Sequence, residues 1–302
     1  MSILLIFFDG WGLGPDDEKI NPFLSVPMPV LRSLLGGTMP VGGNGHLNFN
    51  QASLVPTDAT LGVPGLPQSA TGQSTLFTGV NAARAIGEHL GPYPNAALRK
   101  ILATDNLFQR LMAANCRVAF ANAYPPIFFE RLARNSARRS ATSYAAYAAG
   151  VPYRTIDDLR VGQAVSAFVT NDRWIASGAD VPRLTARQAG RNLARLARDH
   201  DFTLFEYFLT DAAGHKGRAD FTAFVLTEVD ELLAGVLDEF DLSTFLLITT
   251  SDHGNVEDIS SKGHTLNPVP TIIAGRGREE IAPRIHSLMD ITPALVDYLT
   301  RK

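Results

Sequence analysis

Cysteine is nearly absent: Cys116 stands alone among 302 residues. No disulfide framework can staple such a chain, and the reducing cytoplasm is the expected compartment. Charge is also sparse, at 19% of residues. The net charge of -3 argues neither for nor against nucleic acid, and neither a nucleic-acid nor a membrane partner is expected. The apolar run Ile3–Phe8 is too short to span a bilayer and lacks the basic flank and cleavage site of a signal peptide. No internal repeat or low-complexity tract appears. Hydrophobic residues make up 45%, a globular composition, and the length implies one large domain or a domain with an insert.

What is present is a series of short apolar runs that end in acids and imidazoles. Phe245–Thr250 reads as a buried parallel strand. It delivers Asp252-His253 to the carboxyl edge of the sheet, where open α/β folds place ligands. Ile3–Phe8 ends in Asp9, and Phe202–Thr210 ends in Asp211 with His215 four residues on. His264 follows Asp252-His253 after a short loop. An acid at the end of a wholly apolar strand is costly unless paired. Alone, Asp9 would read as a capped turn carboxylate; in this company it reads as a metal ligand. Asp211 and His215 can share one ion, while Asp252 and His253 can diverge toward two. Six oxygen and nitrogen donors without a thiolate suit two divalent cations, zinc or manganese before magnesium.

Glycines after the first strand invite a dinucleotide reading, but Pro15 stands where the third fingerprint glycine belongs. Gly42 to Pro67, rich in Gly and Pro, reads as loop. Small and hydroxyl residues from Pro67 to Gly79 read as the head of a helix, whose amides and dipole suit a phosphoryl group. Ser69 and Thr71 are ordinary N-caps on one reading. Beside a metal, a hydroxyl here is an activated nucleophile.

Helical patterns then dominate from Gly91 to about Asp201, broken by strand-like stretches at Arg117–Ala123 and, more weakly, Ala164–Val169. Gly91–His200 holds sixteen Lys+Arg against seven Asp+Glu, and the remainder eleven against twenty-three. The acidic remainder suits cations and the basic middle an anionic substrate, although Arg on solvated helix faces explains the latter equally well. Residues 124–182 are expected to form a small Arg-rich helical cap, carrying Arg131, Arg134, Arg138 and Arg139. Residues 1–123 and 183–302 are expected to form a discontinuous α/β core, a doubly wound, mostly parallel sheet with helices on both faces.

Five segments carry a family resemblance: Asp9-Gly10-Trp11-Gly12, Gln68–Gln73, Thr210–His215, Ser251–Asn255 and Gly263–Pro270. Together, and in this order, they resemble the metal-site motifs of the alkaline phosphatase superfamily, nearest to its branch of cofactor-independent phosphoglycerate mutases and phosphopentomutases. The resemblance implies one ion on Asp211, His215 and His264, a second on Asp9, Asp252 and His253, and Ser69 as a bridging nucleophile that becomes phosphorylated. Mutases of that branch carry His at the position of Gln73, and the bacterial phosphoglycerate mutases carry a much larger insert. The expected activity is therefore hydrolysis of a small phosphate- or sulfate-bearing ester. A phosphomutase and a non-catalytic metal-binding protein are the alternatives. Thr71, Gln73, Asn122, Arg131 and Arg138 are the candidate substrate contacts.

Overall fold

The structure, a computed structural model, describes residues 2–134, 138–261 and 263–301. Positions 135–137 of the expected cap lie outside the described residues. Its main sheet is built on β1 (Ile3–Phe8), which pairs in parallel with β7 (Phe202–Tyr207) on one side and β8 (Leu246–Thr250) on the other. Beyond β7 lies β4 (Val118–Phe120), also parallel. Beyond β8 come β9 (Val269–Gly275), β3 (Ala52–Thr57) and β2 (Leu47–Asn48), each antiparallel to its neighbour. The fold is thus mixed α/β with a parallel centre. Two further strands, β5 (Asn122–Ala123) and β6 (Val165–Ser166), pair separately.

The pleat explains why β1 is apolar throughout. Ile3, Leu5 and Phe7 enter one core, Leu4, Ile6 and Phe8 the other, and both faces are covered by helices. The helices Ala186–Arg198 and Ala219–Glu239 pack on each other over one face. On the other face lie Ser69–Thr78 and Leu288–Thr300. Ser69–Thr78 is buried along its whole length despite its hydroxyls. Ser74, Thr75 and Thr78 resolve the conflict by donating to the carbonyls four residues earlier, at 2.6, 2.8 and 2.6 Å.

Two expectations need correction. The Gly42–Pro67 stretch is not all loop, because β2 and β3 lie within it. Pro56 argues against a strand, yet it stands opposite Pro270 in the β3–β9 register. Gln51 accepts from the Gly275 N–H, so the ladder's alternation makes Pro56–Pro270 a non-hydrogen-bonded pair, and neither missing donor costs that ladder a bond. The run toward Asp211 also stops early. β7 ends at Tyr207, and Leu209–Lys216 is a helix that places Asp211 and His215 on one face.

Within 124–182, the helix Ala141–Ala148 packs against Ser69–Thr78 and Ala96–Thr104 rather than standing apart. Leu159, Ala164, Trp174 and Val181 form a small apolar cluster with Ala123. Among the described residues no helix is long and apolar enough to cross a membrane.

Candidate metal centre

The carboxyl ends of β1 and β8 are neighbours, with Phe7 in register with Thr250, so Asp9 and the Asp252-His253 turn emerge side by side. Asp252 and His253 have no solvent exposure, and Asp9 retains 9%. Ligand atoms of these three residues all lie within 4.8 Å of one another. His253 Nε2 sits 3.2 Å from Asp9 Oδ1 and 3.0 Å from the Ser69 hydroxyl. Ser69 opens the helix Ser69–Thr78 and turns its side chain toward this cluster.

The second group forms alongside. Asp211, His253 and His264 also fall within 4.8 Å of one another, so His253 stands between the two groups. His215 Nε2 is 3.3 Å from Asp211 Oδ2 and 3.3 Å from His264 Nε2. His264 Nδ1 lies 2.6 Å from the Pro67 carbonyl, which orients Nε2 inward. Its ring stacks on His253 with centroids 3.7 Å apart.

The electrostatics show what this arrangement needs. Burial, then the neighbouring Asp252 charge, raises the Asp9 carboxyl well above its ordinary range. Burial likewise raises Asp252, against the favourable His253 charge. Burial opposes a charged His253, but Asp252, Asp9 and Asp211 outweigh it and lift the ring to about 10. Burial and the His253 charge push His264 down to about 4. Asp9 Oδ1 is buried and faces His253 Nε2 at 3.2 Å, a contact that relies on a protonated ring. Convergent carboxylates and imidazoles aimed at a common space fit divalent cations, which would bring the raised Asp9, Asp252 and His253 values down and leave His264 low.

Above the centre lies a cleft of about 420 Å³ lined by Asp9, Ser69, Tyr124, Phe128, Glu206 and Asp211 among others. Gln73, Asn122, Arg131 and Arg138 line it too. Gln73 Nε2 donates to Asp252 Oδ2 at 3.0 Å, while its Oε1 accepts from the Thr142 hydroxyl at 3.1 Å. The Asn122 side chain is occupied by the Glu206 backbone, donating at 2.7 Å and accepting at 2.8 Å. Thr71 is fully buried; its hydroxyl donates to the Gln68 carbonyl and accepts from the Leu90 N–H, away from the cleft. Arg139 is buried, donating to the Tyr153 hydroxyl and packing over the Tyr147 ring.

Sequence reasoning missed Glu206, a buried acid inside β7 that burial raises to about 7, with Ser140 and Thr142 hydroxyls pulling the other way. The argument applied to Asp9 would have flagged it.

The sequence profile of the family described as the Metalloenzyme superfamily matches residues 1–302. The chain belongs to the Metalloenzyme superfamily. Divalent-metal binding is a property of this family. Among curated relatives, the 2,3-bisphosphoglycerate-independent phosphoglycerate mutase of Ehrlichia canis is 31% identical over 147 residues, covering 44% of this chain and 29% of the relative. The enzyme of the same name from Pyrococcus abyssi is 27% identical over 124 residues, or 37% of this chain and 30% of the relative. These matches span about a third of the relatives' length. The solved PH0037 protein of Pyrococcus horikoshii superposes with TM-score 0.60 at 18% identity, covering 100% of this chain and 97% of that one. Alkaline phosphatase from the Antarctic bacterium TAB5 gives 0.53 at 12% identity, covering 99% and 98%. The second likeness shows an alkaline-phosphatase-like fold.

Proposed function

We propose that this metalloenzyme-family chain transfers phosphoryl groups through Ser69, and that the net reaction is hydrolysis of a small phosphate ester held in the cleft. One observation carries the reading: the Ser69 hydroxyl lies 3.0 Å from His253 Nε2, beside both ligand groups and at the cleft floor. Divalent ions on Asp9, Asp252 and His253, and on Asp211, His215 and His264, would lower hydroxyl pKa values and neutralise phosphoryl charge. The Ser69 hydroxyl gives its proton to solvent, its Oγ attacks phosphorus in line, and the bond to the ester oxygen breaks. The departing alkoxide takes a proton from solvent. Water then attacks the phosphoseryl group, restoring Ser69 and releasing inorganic phosphate. The dipole of helix Ser69–Thr78 favours negative charge at its head, and Arg131 and Arg138 add positive charge to the cleft wall.

A mutase must keep its phosphorylated intermediate from water. The short 124–182 stretch and the neutral amide of Gln73 favour water as the final acceptor. Phosphomutase activity is the second reading, supported by the similarity to phosphoglycerate mutases over 147 and 124 residues. The purified protein should be supplied with Mn²⁺ or Zn²⁺ and a panel of phosphomonoesters, phosphodiesters, sugar phosphates and sulfate esters. Free phosphate is expected; isomerised product without free phosphate would establish the mutase. Ser69→Ala should lower turnover at least about 10³-fold while metal affinity stays within a few fold. Full activity in that variant would refute the assignment.

A further inference from the structure

We propose that Glu257 is a positioning residue for the metal centre, a single buried carboxylate that ties together the segments carrying its ligands. Glu257 has no solvent exposure. Its Oε2 accepts from the backbone N–H of Gly12 at 2.9 Å and of Asn255 at 2.7 Å. Its Oε1 accepts from Thr265 Oγ1 at 2.5 Å and Asn267 Nδ2 at 3.0 Å. A carboxylate offers about four lone-pair positions, and each has a donor here.

Those donors come from the loops that matter. Gly12 follows Asp9, Asn255 follows Asp252-His253, and Thr265 adjoins His264. Asn255 extends the network to the remaining segment, for its Nδ2 donates to Asp211 Oδ1 at 2.6 Å and to the Asp211 carbonyl at 3.2 Å. Carboxylate and loops are built for each other. A Cβ on either Gly12 or Gly254 would collide with Glu257 Oε1. Partners at this remove fix the aim of ligands they never touch, and their loss characteristically weakens metal binding.

The inference rests on the metal-centre reading, and its test separates the two. Chelator-stripped wild type, Glu257→Gln and Asn267→Ala are titrated with Co²⁺, followed by calorimetry and visible absorption, and the unfolding temperature of each metal-free protein is measured. Gln keeps the shape of Glu but turns an NH₂ toward groups that already donate. Glu257→Gln should bind Co²⁺ about 10- to 100-fold more weakly, with altered ligand-field bands even at saturation. Asn267→Ala, at a half-buried position with one donor lost, should bind roughly fivefold more weakly. A folded Glu257→Gln protein with wild-type affinity and bands overturns the proposal, even if its unfolding temperature falls. Should that variant not fold, Asn267→Ala decides, and unchanged affinity and bands there overturn it. Wild type that takes up no Co²⁺ sinks the metal-centre reading itself, and the clamp with it.

Discussion

The two sides of the candidate centre are built from different materials. Asp9, Asp252 and His253 hang from adjacent parallel strands in the middle of the sheet, and at most 12% of any of their side chains meets solvent. Asp211 and His215 ride one turn of a short helix, and His264 arrives on a loop. The His215 side chain is 48% exposed and that of Asp211 19%, although that of His264 is only 6%. Charge interactions strengthen where water is excluded, and so does the cost of leaving a charge unpaired. The sheet side is therefore a fixed, dry position whose carboxylates need a cation to be at ease. The helix side is wetter at His215 and Asp211.

Equivalent damage to the two sides should therefore cost unequal amounts. Asp252→Asn removes a charge from the dry side while preserving shape. Ion affinity there should fall about 10²- to 10³-fold, and excess metal should not restore turnover. His215→Ala removes a proposed ligand whose side chain is half exposed. The loss should be roughly tenfold or less, confined to one of two ions and recovered by raising the metal concentration. Calorimetric titration of stripped protein, paired with turnover at several metal concentrations, reads both. Equal losses at the two positions would erase the distinction.

Much of this arrangement was legible in the residues, for physical reasons. Asp9 and Asp252 stand out because each terminates an apolar run whose burial leaves an acid only two fates, pairing or a ligand role. The Asp211–His215 spacing was visible, but its element was not. Phe202–Thr210 is apolar or hydroxyl-bearing almost throughout, and nothing local marks the switch to helix after Tyr207. That switch depends on tertiary contacts such as Thr210 donating to the Asp9 carbonyl at 2.5 Å. β3 was hidden by Pro56, whose missing donor is harmless only because of the register with β9. Glu257 was harder still. Its donor Gly12 is 245 residues away, and no spacing rule connects a carboxylate to a turn at the other end of the chain.

The finest discrimination between the two sides is in protons. His253 titrates near 10 in the ion-free protein, because surrounding carboxylates outweigh the burial penalty. It therefore contributes stability below the ordinary histidine range, and that contribution is lost as pH climbs toward 10. His264, depressed to about 4 by burial and by the His253 charge, binds fewer protons folded than unfolded, so its contribution grows as pH rises through that point toward 6.5. Near neutrality one ring is charged and the other is already a free ligand. A metal can bind only the neutral imidazole. Uptake on the dry side at about pH 7 should release at least about one proton, from His253 with a share from Asp9 and Asp252, whereas uptake through His264 should release none from that ring. Titrations in buffers of different ionisation enthalpy give the proton count for each binding step. Two steps with the same count would mean that His253 is no more protonated than His264 near pH 7, and that the carboxylates around it do not hold its charge.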